Sequence, residues 1–371
     1  MQKIEKILNK TLRLEKLTKA ELASLLEIRE KKQVAALFKT ARKLRTKFFR
    51  DKIYIYGFLY ISTYCRNNCR FCFYRSENKD SLRYRKNESE IIDSALRLTE
   101  SGVHLIDLTM GEDPEFFDYR DKNRGVSGTG FANLLRLVES VKKASGLPLM
   151  VSPGVVEEQV LEELAGAGAD WYACYQETHN LSLFKELRPG QNYEKRLQTK
   201  LLAHKYGLLT EEGVLAGVGE TAADMVDSIA VMESLKTDQV RAMNFVPRKG
   251  TPMENFRVDD PLREMIYTAV MRLVFPDRSI PATLDVEGLS GLKKRLNAGA
   301  NVVTSIVPPE RGLAGVAQSC LDIDDNRRSI SGVLAVAAEC GLRAASLNDY
   351  LDWTQKRRSE KLSFRRNYND L

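Results

Sequence analysis

The sequence predicts an α/β chain folded as a (β/α)8 barrel of the TIM type, with an N-terminal helical extension and a C-terminal helical segment. Three observations carry this. From Tyr56 onward, short apolar runs alternate with helical stretches, and such alternation implies parallel strands joined by helical crossovers. There are eight such runs, and eight units over about 250 residues fit a closed barrel. No low-complexity segment or short-period repeat interrupts them. An open doubly wound sheet is the alternative that the pattern leaves.

The elements follow in order. Residues 1–50 read as helix: Thr18 opens a capping box with Glu21, and Leu22, Leu25 and Leu26 follow at helical spacing, as do Val34, Leu37, Phe38, Ala41 and Leu44 further on. The strands expected are Tyr56–Thr63, His104–Met110, Pro148–Pro153, Trp171–Thr178, Leu208–Val218, Gln239–Val246, Ile280–Val286 and Asn301–Val307. Helices are expected at Glu88–Ser101, Asn133–Ser145 and Glu157–Ala167. This gives an extension over 1–50, a barrel over 51–350 and a basic tail over 351–371, whose residues 356–366 are expected to fray. Two long connections, Glu112–Phe131 and Pro308–Arg328, belong at the C-terminal rim of the strands, where barrel active sites sit.

Composition bounds the function. Hydrophobic residues make up 43% and charged residues 29%, the profile of an ordinary globular chain. No apolar run approaches the 18 or so residues of a membrane span, and charges interrupt the N-terminus, so a cytoplasmic location without membrane partners is expected. The net charge of +7 is local in origin: residues 1–50 hold 15 Lys or Arg against 5 Asp or Glu. Such a basic stretch reads first as a solvated helix face, and no aromatic-interleaved basic motif accompanies it, so nucleic acid is not the expected partner.

The chemistry gathers at Tyr64-Cys65-Arg66-Asn67-Asn68-Cys69-Arg70-Phe71-Cys72-Phe73-Tyr74, a C-x3-C-x2-C spacing at the end of the first strand. Three thiolates on one loop can ligate three irons of a 4Fe–4S cubane and leave the fourth open to chemistry. Zinc would want a fourth Cys or His, and the nearest His in sequence is His104. A disulfide would leave one thiol over, and unreactive core cysteines would not cluster this tightly. Cys65, Cys69 and Cys72 are therefore the expected metal ligands. Cys174, Cys320 and Cys340 read as packing residues.

This segment resembles the signature of the radical S-adenosylmethionine superfamily. The resemblance implies that the methionyl amine and carboxylate chelate the open iron, and that reductive cleavage yields a 5′-deoxyadenosyl radical. It implies Tyr74, in the aromatic segment after the third cysteine, beside the cofactor. Met110-Gly111-Glu112 is similar to the family's Gly-Gly-Glu motif, with Met in its first place, and implies that Gly111 and Glu112 meet the methionyl amine. The stretch Gly213-Val214-Leu215-Ala216-Gly217-Val218-Gly219-Glu220 resembles the motif near the adenine and brings in Leu215 and Gly217. Glu177 resembles the fourth-strand residue facing the ribose or methionyl group. Arg196 resembles an arginine that pairs the methionyl carboxylate, a role that suits a guanidinium fork.

Within the superfamily, residues 15–350 resemble the branch of biotin synthase, the iron-only hydrogenase maturase and the methylornithine synthases of pyrrolysine biosynthesis. One interior thiol, Cys174, cannot hold the second cluster of a biotin synthase. Arg241 on the sixth strand, with Thr283 and Asp285 two apart on the seventh and so on one face, and Asp113 at the mouth of the second, would form a substrate pocket. One guanidinium and two carboxylates match a diamino acid, and a buried Arg needs an anion; an internal Arg241–Asp285 ion pair is the structural alternative. The resemblance is greatest to the methylornithine synthases and implies isomerisation of L-lysine to 3-methyl-D-ornithine. A side-chain radical would permit Cα–Cβ scission and re-addition of the glycyl fragment. It also implies a reductant such as flavodoxin or ferredoxin. A hydrogenase-maturase-like enzyme acting on another small amino-acid-derived ligand, and a metal-stabilised nucleic-acid-binding protein, are the alternatives.

Overall fold

The computed structural model describes residues 2–117, 129–258, 260, 262–308 and 328–368. Three helices open it: α1 (Gln2–Leu12), α2 (Lys19–Leu26) and α3 (Lys31–Phe49). The Thr18 hydroxyl accepts from the Glu21 amide, and the Glu21 carboxylate accepts from the Thr18 amide. The capping box read from sequence thus starts α2. Asn87 and Glu90 start α4 (Glu88–Ser101) in the same way, and Gly102 ends it at φ 90°, a left-handed cap that costs glycine little.

The strands are β1 (Lys52–Ser62), β2 (Leu105–Met110), β3 (Leu149–Ser152), β4 (Trp171–Ala173), β5 (Leu209–Ala216), β6 (Gln239–Asn244), β7 (Pro281–Thr283) and β8 (Val302–Ile306). All eight run parallel, in the order β6-β5-β4-β3-β2-β1-β8-β7. One bridge, Gln239 to Ser279, spans the seam between β6 and β7. The sheet is thus a nearly closed barrel, and the open-sheet alternative is set aside. β4 ends at Ala173, shorter than expected; beyond it Glu177, at φ 69°, makes an isolated parallel bridge to Val214. The crossover helices are α5 (Thr129–Ser145), α6 (Glu158–Gly166), α7 (Leu181–Leu187), α8 (Tyr193–Lys205), α9 (Ala222–Ser234), α10 (Arg263–Val274) and α11 (Gly288–Asn297). α12 (Ile330–Glu339), a short β9 (Arg343–Ala344) beside β1, and α13 (Leu347–Tyr368) complete the described chain.

The main core lies between strands and helices, with α3 laid over α10. A second, aromatic cluster fills the N-terminal end of the barrel. There Tyr350 and Trp353 of α13 meet Tyr54 and Trp171, with ring centroids 4.9 Å apart for Tyr54–Tyr350 and 6.0 Å for Trp171–Trp353. Arg357 and Lys361 reach Asp238, a buried carboxylate at the start of β6. The C-terminal residues expected to fray therefore belong to a helix that stops the barrel floor: its basic groups find an acid, and its rings find the barrel's own. No helix among the described residues is long and apolar enough to cross a membrane.

Candidate active site

At the other end of the barrel, the loop after β1 carries Cys65, Cys69 and Cys72 into a cavity of about 310 Å³. Glycine at position 111 lets the end of β2 approach this loop. A Cβ there would stand 2.2 Å from the Tyr64 carbonyl oxygen and 2.8 Å from Cys65 Cβ. The next residue, Glu112, is held from three sides: Arg66 Nε donates at 3.0 Å, the Val155 amide donates at 3.2 Å, and Arg196 stands 3.6 Å away. Glu112 lies flat over Gly154, where a Cβ would come within 2.2 Å of its Cγ.

The third wall is built after β4. Glu177 is buried in its left-handed backbone; Arg188 donates to Oε1 at 2.9 Å, while Oε2 has no hydrogen-bond partner among the described residues. Behind it stands a buried ion pair, Lys200 Nζ to Glu212 Oε2 at 2.5 Å. Glu212 Oε1 accepts the amides of Gln176 and Gly213, and Lys200 donates to the Cys174 carbonyl and to Gln176 Oε1. Cys174 and Gln176, which lead into Glu177, are thereby pinned. Arg196 donates from Nε to the Tyr175 carbonyl at 2.8 Å, and Leu215 of β5 faces the same cavity.

The deeper wall is polar. Arg241 Nε donates to Glu211 Oε1 at 2.7 Å, and the Tyr175 hydroxyl donates to Glu211 Oε2 at 2.7 Å. Asp107 accepts from Thr109 Oγ1 at 2.9 Å and from Ser152 Oγ at 3.3 Å. Burial, with the nearby Glu211 charge adding to it, raises the Asp107 carboxyl to about 7. Asp285 accepts from Thr283 and Ser305 and pairs with Arg328 at 3.0 Å. Arg241, Thr283 and Asp285 all line the cavity. The Arg241–Asp285 ion pair weighed from sequence is not formed: each group has another partner.

Two expectations need correction and a third finds no cavity contact. Asp113 has no exposed surface; Arg85 grips it in a fork at 2.7 and 2.9 Å and Ser62 bonds it as well, so its carboxylate is spent on holding the β1 and β2 loops together. Tyr74 packs on Tyr60 at 5.3 Å and does not line the cavity; Phe71 and Phe73 do. Gly217, at φ 86°, shapes the turn after β5, where the Glu220 carboxylate accepts the Gly217 and Val218 amides. It is not among the cavity residues.

The family model of the radical SAM superfamily matches residues 59–232. A 3-methylornithine synthase of Methanosarcina barkeri is 40% identical over 90% of this chain and 92% of its own. The chain belongs to the methylornithine synthase family. That family is a branch of the radical SAM enzymes, and the FeFe-hydrogenase maturase subunit HydE of Thermotoga maritima is a more distant relative, 31% identical over 77% of this chain and 79% of its own. The crystal structure of a methylornithine synthase, PylB, superimposes with a TM-score of 0.86 at 38% identity, covering 94% of this chain and 99% of that one. Membership removes the nucleic-acid-binding alternative.

The cofactors of a methylornithine synthase family member are a 4Fe–4S cluster and S-adenosylmethionine, and the residues present fit both. Among the described residues no three His, Cys, Asp or Glu side chains converge as a single metal ion needs; a cubane takes each thiolate to a different iron. Burial, and then the neighbouring thiols of Cys69 and Cys65, push the Cys72 thiol up to about 12, so its thiolate is favoured only beside a positive charge. The unpartnered Glu177 oxygen and the Arg196 guanidinium offer a zwitterionic ligand one acceptor and one donor. The sequence reading missed Asp107 and Glu211, although strand parity signals both. Leu215 was expected to face inward, and Glu211 lies four residues before it on β5; Asp107 shares a face with Thr109 on β2. The Cys320 expectation falls outside the described residues.

Proposed function

We propose that this chain is a radical isomerase converting L-lysine into 3-methyl-D-ornithine for pyrrolysine biosynthesis, working in the cytoplasm on electrons from a flavodoxin or ferredoxin. Cys65, Cys69 and Cys72 hold the cluster; Glu112, Glu177, Arg196 and Leu215 face S-adenosylmethionine. The observation that carries the reading is the charge set of the deep cavity wall. Arg241 is offset by Glu211, and Asp285 is paired with Arg328. Asp107 is the remaining acid, poised at about 7. Lysine brings two ammonium groups and one carboxylate, so ionised Asp107 supplies the counter-charge that a desolvated diamino acid still needs.

The bound cofactors supply a carbon-centred radical that can take a hydrogen from the substrate side chain. Everything else falls to this chain. Arg241 takes the substrate carboxylate, and Asp107 and Asp285 take its ammonium groups. When the carbon skeleton parts, each piece keeps a charged end. Two fixed anchor points therefore hold both pieces for rejoining, whereas an apolar pocket would release them. Thr109, Ser152, Thr283 and Ser305 keep the carboxylates aimed. The barrel wall keeps stray hydrogen donors away from the radical.

The test is product analysis. Reconstituted protein, L-lysine, S-adenosylmethionine and dithionite should yield 5′-deoxyadenosine and an isomer of lysine that co-elutes with 3-methylornithine. Cleavage of the cofactor with lysine unchanged would overturn the assignment and return the hydrogenase-maturase-like reading.

A further inference from the structure

The connection between α7 and α8 runs Arg188-Pro189-Gly190-Gln191-Asn192, and its first four residues form a turn. The Gln191 amide donates to the Arg188 carbonyl at 3.1 Å, and Gly190 sits at φ 76°. Proline second and a left-handed glycine third make a type II turn. Such a turn brings the side chains of its first and fourth residues together. Both reach the same sulfur: Gln191 Nε2 lies 3.0 Å and Arg188 Nη1 3.4 Å from Cys69 Sγ. The turn is tied to the cysteine loop by backbone as well, the Arg70 amide donating to the Leu187 carbonyl at 2.9 Å.

The orientation of the Gln191 amide is fixed by its neighbours. Its oxygen accepts from Arg188 Nη1 and Arg196 Nη1, each at 3.3 Å. Guanidinium groups only donate, so the oxygen must face them and the NH2 must face the sulfur. Gln191 is thus a hub. One end steadies the two arginines of the cofactor wall, and the other donates to a cysteine that the proposed function makes a cluster ligand.

We propose that Gln191, with Arg188, sets the reduction potential of the cluster by donating hydrogen bonds to Cys69. The inference rests on Cys69 being a ligand. When the oxidised cluster takes one electron from a reductant, it gains one negative charge, and its sulfurs become better acceptors. Donors aimed at them favour the reduced form; hydrogen bonding to sulfur is one of the levers on iron–sulfur potentials. Gln191 acts as a positioning and tuning residue and need not touch substrate.

The experiment is an EPR-monitored redox titration, with dithionite as reductant, of the parent, Gln191→Leu and Gln191→Glu, each without and with S-adenosylmethionine. Gln191→Leu removes the donor and adds no charge. At a fixed potential its ratio of reduced to oxidised cluster should fall roughly threefold to tenfold, the range of one ordinary hydrogen bond. A tenfold fall in a one-electron couple is a shift of about 59 mV. Gln191→Glu keeps the acceptor for both arginines but turns an oxygen to the sulfur, so its ratio should fall further. Both shifts should appear without S-adenosylmethionine. A shift seen only with it would place the action at Arg196 and overturn the inference. So would ratios equal to the parent's in cluster-loaded variants, which would leave the proposed function standing. A parent protein that forms no cluster on reconstitution would overturn the proposed function and this inference together.

Discussion

Lys200→Met should cost the fold about 3–5 kcal/mol at pH 7.5. Lys200 and Glu212 have no exposed side-chain surface and stand 2.5 Å apart. Methionine keeps the stem and removes the charge. Glu212 would retain the Gln176 and Gly213 amides at 2.7 and 2.8 Å but lose its counter-ion. A second group can respond. His179 Nε2 lies 3.8 Å from Glu212 Oε2. Burial holds this imidazole down at about 4, with Glu212 opposing and Lys200 adding to the depression. A pair of unit charges at that distance is worth about 4 kcal/mol at an effective dielectric of 20. With Lys200 gone, His179 should take a proton more readily. The sign follows from linkage. Folded parent refuses a proton that the unfolded chain binds near 6.5, so it loses stability as pH falls from 6.5 toward 4. The variant should lose less, and the gap between them should narrow. Urea unfolding midpoints of parent and variant apo-protein at pH 7.5 and 5.0 measure this. A gap unchanged with pH, or a cost under about 1 kcal/mol at pH 7.5, would refute the reasoning. The double change Lys200→Met with Glu212→Gln should recover most of the loss.

Asp107→Asn should raise the KM for lysine at least tenfold, the scale of losing one charged hydrogen-bond partner, with cluster content unchanged. In the parent, KM should also climb below pH 7, because the carboxyl then fills with protons that the substrate ammonium must displace; a flat KM from pH 8 to 6 would argue against Asp107 as an anchor. Asp113→Asn should lower stability through the Arg85 fork while leaving the KM of the folded fraction unchanged, which a melting curve beside steady-state kinetics can separate. Tyr350→Ala should cost about 3–5 kcal/mol in a chemical denaturation series, as for other buried aromatic truncations; a smaller loss would mean that α13 merely lies against the floor.

The fold was legible because helix periodicity and short apolar runs report burial directly. The expected helix Glu88–Ser101 coincides with α4, which the structure shows starting at the Asn87–Glu90 capping box and ending at Gly102. What the pattern does not encode is partnership across the barrel. Arg241 was visible as a buried cation, but Glu211, thirty residues earlier on the neighbouring strand, carries no local mark of being its partner. Asp113 misled for the complementary reason. It follows the motif residue Glu112, and only the loop arriving from β1 brings Arg85 onto it. The tail was expected to fray because its partner is remote: Asp238, more than a hundred residues upstream, is the acid that Arg357 and Lys361 reach. The Pro-Gly pair at 189–190 is a turn signal that went unread. Its consequence for Cys69 needed three dimensions.

The stopper at the barrel floor has a bearing on how the protein is made. α13 follows all eight strands in the chain, so translation delivers it after them. Until then Tyr54, Tyr56 and Trp171 have no cover from Tyr350 and Trp353, and Asp238 has no cation from Arg357 and Lys361. A nascent chain halted before residue 347 would present a ring of aromatic groups around a buried acid at one mouth, and the cysteine loop at the other. The two ends are therefore separable in chain order: the three cysteines follow β1 directly, while the opposite mouth stays uncovered until α13, which corks it, has been made.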